Sequence, residues 1–397
     1  MNHDVYIIAA ARTPIGRLGG TLASLSPVAL GAQVMQAALE RSQVPGEALD
    51  LYIMGNVLRS GHGQLVPRQA ALKAGIPASV NGFAIDMVCA SGMMSLLNAM
   101  MAIRAGEADL VLAGGMESMS QTGFFLSHRA RWGYKLLAGA PEPLTDLILQ
   151  DGLTDGTTGE SMGEQAERVA ATHDFSRYAL DEVALESHRR ASAARDRGLF
   201  QAEIMPIEVK TKHATQIVDR DEGIRPDTTL ESLMKLRPAF KPDGILTAGN
   251  SSQLSDGAAA LVLASATAVK RYQLTPSANL LGGTWAGGET WRFPELSIVA
   301  VKQLLEKLSL KLSDIDLFEN NEAFAVNNLL FQTWLSVPAD KLNSHGGAIA
   351  LGHPLGASGA RLVVTLLHTL KQQQQTLGIA SICHGTGGGT AIALEHV

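Results

Sequence analysis

The chain has 397 residues, 46% of them apolar, with 40 glycines and a formal charge of −6. That length exceeds one ordinary core and implies two or three domains, and the acidic balance gives no electrostatic reason to expect nucleic acid. Only two cysteines occur, Cys89 and Cys383, far apart; this excludes a disulfide framework and fits a reducing, cytoplasmic setting.

Residues 5–11 read as a buried strand ended by Arg12-Thr13-Pro14, not as a signal peptide, and no stretch is long enough to span a bilayer. A helix is predicted over 27–39, a strand over 49–54 and a helical stretch over 69–74. Asp86-Met-Val-Cys89-Ala-Ser-Gly92 then reads as a strand-to-helix turn with Cys89 at the mouth of a helix apolar on nearly every side. Backbone N–H groups and the helix dipole there favour a thiolate, which is the nucleophilic form. A core cysteine is the plain alternative. A strand over 109–113 ends in Gly114-Gly115. Strands alternating with helices predict a mainly parallel sheet covered by helices.

The composition changes near Ser120. Residues 121–244 hold 36 of the 70 charged side chains and carry amphipathic helices over 161–172 and 181–195. They are expected to form an inserted, more exposed domain. The expected division is 1–120 plus 245–272 as a first half, 121–244 as the insert, and 273–397 as a second half.

The second half repeats the first. The helix 29–39 followed by Asp50 matches the helix 299–308 followed by Asp316. Asp50 to Ser91 spans 41 residues and Asp316 to Ser358 spans 42. Ser91-Gly92 and Ser358-Gly359 each open an apolar helix, and each helix leads to a glycine-rich strand end, 112–115 or 382–385. Two such halves suggest two sheets sandwiching a central helical layer, with a site at their junction. Cys89, the stretch after the strand 316–318 that begins Asn321-Glu-Ala-Phe, the glycine-rich run 343–361 with His353-Pro354, and Cys383-His384-Gly385 would line it. His345 and His62 read as packing or surface residues, and Cys383 alone reads as core. Strand alternation points His384 away from Cys383.

Together these stretches resemble the thiolase family, CoA-dependent acetyltransferases that make or cleave 3-ketoacyl-CoA. The motifs are Val88-Cys-Ala-Ser-Gly92, Gly114-Gly-Met-Glu-Ser118, Lys235-Leu-Arg-Pro-Ala-Phe240, Thr247-Ala-Gly-Asn250, Asn321-Glu-Ala-Phe324, the run 346–361 and the C-terminal Cys383 with its glycines. The resemblance implies a five-layered α/β/α/β/α sandwich of two similar halves with an inserted loop domain, assembled as a homotetramer or sometimes a dimer. It implies that Cys89 becomes acylated, that His353 takes its proton, and that Cys383 removes a proton from the α-carbon of a second acetyl-CoA. One oxyanion hole would use His353 and a water held by Asn321, the other the N–H groups of Cys89 and Gly385.

For CoA, taken as substrate and not as a resident cofactor, the resemblance implies contacts from Leu153, Met162, Arg225, Ser232, Leu236, Phe240, Ala248 and Ser252. Arg225 would lie against the adenine and Ser252 would meet the pantetheine amide. Loop-domain packing is the alternative for Leu236 and Phe240, and a solvated role for Arg225. No metal site is expected, since the histidines lack ligand spacing.

Three departures bear on substrate. Ser161-Met162-Gly163 stands where many short-chain members have His-Met-Gly. Glu289-Thr-Trp-Arg-Phe-Pro294 replaces Met-Gly-x-Gly-Pro, so that Trp291 or Phe293 would narrow or lengthen the acyl pocket. Thr386 interrupts the C-terminal glycines. The leading expectation is an acetyl-CoA C-acetyltransferase, with a 3-ketoacyl-CoA thiolase of broader chain length as the alternative. A non-catalytic CoA or lipid carrier would have lost the catalytic set, which is intact. A decarboxylating ketoacyl synthase would carry histidine at position 383.

Overall fold

The computed structural model describes residues 4–133, 144–210 and 214–397; residues 134–143 and 211–213 of the predicted insert lie outside the described residues. The first half runs β1 (Val5–Arg12), α1 (Pro27–Ser42), β2 (Leu51–Gly55), α2 (Val66–Lys73), β3 (Asn81–Ile85), α3 (Ser91–Ala105) and β4 (Leu110–Ser118). A segment rich in charge follows, with α4 (Met162–Thr172), α5 (Arg177–Asp196) and the short α6 (Leu230–Met234). The chain then returns as β5 (Ser255–Ser265) and α7 (Ala266–Tyr272). The second half is β6 (Ala278–Gly287), α8 (Phe293–Leu308), β7 (Leu317–Asn320), α9 (Ala325–Trp334), α10 (Leu355–Gln373), β8 (Leu377–His384) and β9 (Gly388–His396).

Local signals explain the boundaries. Ser26 caps α1 by accepting from the Ala29 N–H, with Pro27 at the first helical position, where a missing N–H costs nothing. Gly106 ends α3 in the left-handed region. The internal repeat has a physical counterpart in two aspartates. Asp50 Oδ2 accepts from the N–H groups of Asp109 and Leu110, joining the start of β2 to that of β4. Asp316 Oδ2 does the same for Thr376 and Leu377, joining β7 to β8.

The two half-sheets are not separate, as the repeat had suggested. The strand order is β7-β8-β9-β6-β1-β5-β4-β2-β3, with the short strand Gly16–Arg17 on β5. The halves join through two residue pairs, Tyr6 with Asn279 and Ile7 with Ala278. Nor is the sheet mainly parallel. Only β2–β3, β2–β4 and β7–β8 are parallel. β1, β5, β6 and β9 all run antiparallel to their neighbours. For β9 the reason is connection length. β9 returns from β8 through a tight turn, which permits only antiparallel pairing, whereas the parallel pairs are bridged by helices.

Helices α1 and α2 cover the outer face of the first half-sheet, and α8 and α9 that of the second. Between them α3 and α10 touch strands of both halves, which completes the α/β/α/β/α layering. The stretch Val88–Ala105 is apolar and long enough by composition to cross a membrane, contrary to the reading of the sequence. Its apolar surface is taken up by α10 and the strands on either side. The two central helices meet at glycines. A Cβ on Gly92 would come 2.8 Å from the Gly356 carbonyl and 2.9 Å from the Ala360 nitrogen. Alanine there overpacks backbone against backbone, a cost of about 1–3 kcal/mol. This close approach brings together the N-terminal ends of both helices, where Cys89 and His353 stand.

Candidate active site

Cys89 precedes α3 on a strained turn. Val88, a β-branched residue, has φ +47°, in the left-handed region, a conformation costing about 1–3 kcal/mol. It is held there by a small network. Ser91 Oγ donates to the Val88 carbonyl at 2.6 Å and accepts from the Met87 N–H at 2.8 Å, while Asp86 accepts from the Val88 N–H at 3.2 Å. Ser91 therefore stabilises the turn that aims Cys89.

Cys89 is buried, 8% exposed. Burial pushes its thiol up to about 12, against hydrogen bonds from the N–H groups of Gly385 and of Cys89 itself. The expectation that the helix mouth would favour a thiolate is thus corrected. In this dry site desolvation outweighs the N–H donors, so Cys89 rests as a thiol and needs a base.

His353 supplies an imidazole with a defined tautomer. Ser358 Oγ donates to the Pro354 carbonyl at 2.9 Å, so its contact with His353 Nδ1 at 2.6 Å must be accepted from Nδ1–H. Nε2 keeps its lone pair and faces the Asn321 amide nitrogen at 3.3 Å. Burial, with a smaller contribution from the Arg361 charge, lowers His353 to about 3. The ring is a neutral base, not a resident cation. Asn321 is fully buried, and its backbone N–H bonds the Ser381 carbonyl at the end of the β7–β8 ladder. Its Oδ1 has no hydrogen-bond partner among the described residues.

Cys383 is the penultimate residue of β8 and is 1% exposed. Burial raises its pKa, and the proximity of Cys89 raises it further. Asn327 on α9 donates from Nδ2 to Cys383 Sγ at 3.3 Å. The orientation of that amide is set by its other end, where Oδ1 accepts from the Phe324 N–H at 3.0 Å. Gly385 sits between the two thiols' surroundings: a Cβ there would lie 2.8 Å from Met162 Sδ. Thr386 at φ +67° and Gly387 at φ +81° make the turn that presents the Gly385 N–H. Thr386 accordingly takes a conformation that glycine adopts without strain.

Cys89, Cys383, Gly385, His353 and Asn321 thus converge from four stretches of chain. A thiol nucleophile, a neutral imidazole, a second thiol and converging donors suit acyl transfer and proton abstraction next to a carbonyl. The thiolase N-terminal domain model matches residues 5–267 and the thiolase C-terminal domain model residues 274–396. The chain belongs to the thiolase family. It is 65% identical to an acetyl-CoA acetyltransferase of Synechocystis sp. over 99% of this chain and 100% of the relative. Human mitochondrial 3-ketoacyl-CoA thiolase superposes with a TM-score of 0.96 at 40% identity, covering 100% of this chain and 99% of that one. A thiolase from Ascaris suum in complex with coenzyme A gives a TM-score of 0.92 at 40% identity, covering 99% and 100%.

The positions expected to meet CoA in this thiolase form two groups. Met162, Leu153 and Phe240 lie next to the reactive centre. Met162 abuts Gly385, Leu153 packs on the core that contains Cys89, and the Phe240 ring makes an edge contact with Phe324 at 5.7 Å. Ser252 donates its backbone N–H to the Ala323 carbonyl, beside Asn321. Arg225, Ser232, Leu236 and Ala248 are exposed, and Leu236 approaches Gly249. Ser232 Oγ already donates to the Thr229 carbonyl at the start of α6. His345 is buried with Nδ1 on Thr369, and His384 packs its ring against Gly388.

Three functional residues escaped the reading of the sequence. Ser358 appeared only as the opening of an apolar helix, and Asn327 was not singled out at all. Glu117 was part of a motif without a role. It is fully buried and accepts from the N–H groups of Val57, Leu58 and Gly356 and from the Asn56 amide. Burial lifts it to about 7 against the three bonds from backbone N–H groups. One carboxylate thereby joins the loop after β2 to the start of α10, beside His353. A buried Glu in an otherwise apolar strand was the available signal. Ser358→Ala removes the acceptor of His353 Nδ1–H. Leaving that donor unsatisfied, at about 1–3 kcal/mol, predicts a loss of about 10- to 100-fold in kcat/KM with little change in melting temperature. Unaltered kinetics in the variant would refute the tautomer assignment.

Proposed function

We propose that this thiolase is an acetyl-CoA C-acetyltransferase that interconverts two acetyl-CoA with acetoacetyl-CoA and CoA by a ping-pong route. One observation carries the proposal: two buried thiols share a site in which the Gly385 N–H bonds the Cys89 sulfur. In the first half-reaction His353 Nε2 takes the Cys89 proton as sulfur attacks the thioester carbonyl of acetyl-CoA. The tetrahedral oxyanion is stabilised by the N–H groups of Cys89 and Gly385. The carbon–sulfur bond to CoA breaks, and CoA leaves with the proton from His353. In the second, Cys383 passes its proton to the emptied His353 Nε2 and, as thiolate, takes one from the α-carbon of another acetyl-CoA. The carbanion attacks acetyl-Cys89, a carbon–carbon bond forms, the Cys89–carbonyl bond breaks, and His353 returns its proton to the Cys89 sulfur, which closes the cycle. The enolate oxygen lies toward His353 and the Asn321 amide. Thiolysis is the reverse.

The name of the Synechocystis relative, an acetyl-CoA acetyltransferase, and the coenzyme A complex of the Ascaris thiolase support CoA thioesters as substrates. The broader-chain reading draws on the human relative. Initial rates of CoA-dependent thiolysis on 3-ketoacyl-CoA esters of increasing length separate the two. Acetoacetyl-CoA is expected to be cleaved fastest. Sustained rates on longer esters would assign the broader class, and no cleavage of any ester would leave only the carrier. A homotetramer is part of the proposal. Phe124, Phe125, Leu126, Trp132 and Leu149, and Phe83 on the edge strand β3, are exposed and offer apolar surface for further copies. A reducing, cytoplasmic setting suits a site that depends on two free thiols.

A further inference from the structure

Two departures from the family pattern remain, Ser161 and the segment 289–294, and the structure connects them. Ser161 does not stand in for the missing histidine. Its Oγ donates to Glu164 Oε2 at 2.7 Å and accepts from the Glu164 N–H at 3.2 Å, so the hydroxyl is consumed in capping α4. The next side chain, Met162, is the one that reaches the reactive centre. Its sulfur lies against Gly385, whose N–H bonds the Cys89 sulfur. An acyl group on Cys89 with its oxygen at the Gly385 N–H is therefore flanked by Met162. A chain that extends in that direction requires Met162 to move.

Met162 is the first residue of α4, and α4 is fastened from outside by the segment 288–295. The Trp291 ring lies between two guanidiniums, Arg168 of α4 at 4.4 Å and Arg292 at 4.5 Å. Both arginines are held in turn. Arg168 bonds Glu160 at 2.7 Å, and Arg292 bonds Glu295 at 3.0 Å and Glu289 at 3.1 Å. Glu295 also meets His173, at the C-terminal end of α4, at 3.0 Å. The Thr290 hydroxyl bonds Asp155, which also accepts from Gln165 of α4 at 2.8 Å. On its other side the same segment packs on the catalytic turn, with the Gly288 N–H donating to the Gly387 carbonyl at 3.0 Å. The segment thus braces α4 against the turn that carries Gly385.

We propose that Trp291, stacked between Arg168 and Arg292, acts as a clamp that holds Met162 as a fixed end wall of the acyl site and so limits this thiolase to acetoacetyl-length substrates. Trp291 is a positioning residue here, acting through Met162. The proposal rests on the acetyl-transfer reading and adds what sets its chain length. The rigid wall takes the place of the histidine that this chain lacks.

The test is kcat/KM for thiolysis of acetoacetyl-CoA and of 3-ketohexanoyl-CoA by the native enzyme and by Trp291→Ala, Trp291→Phe, Arg168→Gln and Met162→Ala. The native enzyme is expected to prefer the shorter ester by at least about tenfold, the scale on which pockets discriminate extra methylenes. Trp291→Ala should raise the long-to-short ratio about tenfold, chiefly through KM for the longer ester. Trp291→Phe, which keeps a face for both guanidiniums, should restore the native ratio. Arg168→Gln, on the surface, should shift it in the same direction as Trp291→Ala if the latter fails to fold. Met162→Ala should broaden the range without disturbing the clamp. A native enzyme indifferent to length overturns the proposal, as does a native ratio in folded Trp291→Ala or Arg168→Gln. Absence of acetoacetyl-CoA thiolysis by the native enzyme instead overturns the acetyl-transfer reading itself.

Discussion

Cys383→Ala is expected to release one CoA per site from acetyl-CoA and then stop. The first half-reaction needs Cys89, His353 and the N–H groups of Cys89 and Gly385. None of these is held by the Cys383 side chain, whose polar contact is with Asn327. The second half-reaction needs a base at the α-carbon, and no other titratable side chain among the described residues shares the polar contacts of Cys383. Condensation and thiolysis should fall by about 10²–10⁴-fold, the range for loss of a positioned acid–base group. Rapid-quench measurement of CoA release against turnover separates the two steps. Full condensing activity in the variant would remove Cys383 from the mechanism. Equal loss of the burst would show that it serves acylation as well. Asn327→Ala should give a weaker form of the same split, since its Nδ2 donates to the sulfur and so favours the thiolate.

His353→Ala should abolish the burst that Cys383→Ala keeps. Cys89 is driven up to about 12 by burial, so without a base hardly any thiolate exists near neutral pH. A loss of about 10²–10⁴-fold in the acylation rate is expected. The pH profile offers a second check. Burial lowers His353 from its ordinary value of 6.5 to about 3. A lowered histidine remains neutral, and competent as a base, as pH falls through 6.5. Acylation kcat/KM should therefore show no acid limb between pH 7.5 and 5.5 attributable to this ring. A limb centred near 6.5 that disappears in His353→Ala would contradict the burial argument. The sign for stability is opposite. Below pH 6.5 the unfolded chain binds a proton at this imidazole that the folded chain excludes, so His353 weakens folding as pH falls from 6.5 toward 3.

The parts of this architecture legible in the chain are those written as local patterns. The repeat of helix, aspartate and apolar helix was visible because each Asp must stand a set distance before its helix to receive the same two backbone N–H groups. The apolar helices α3 and α10 announced burial on all sides, and glycines marked where they touch. Cys89, His353, Asn321 and Cys383 were legible because each stands at a strand or helix end among small residues and in a family motif.

Long-range packing decided the rest. Neither the joining of two sheets through a pair of residues nor the antiparallel return of β5 and β9 is encoded in periodicity, which reports faces and not partners. The state of Cys89 depends on how many layers cover it, because desolvation accumulates from residues distant in sequence and here exceeds the pull of nearby N–H groups. Ser358, Asn327 and Glu117 gain their roles only where a helix from one part of the chain meets a loop from another. Trp291 looked like a candidate wall of the acyl pocket, yet it stands on the outer side of α4 between two arginines, 123 and one residues away in sequence. The chain order specifies which chemical groups are available; close packing of the two halves determines which of them lose water, and with it their charge, their tautomer and their freedom to move.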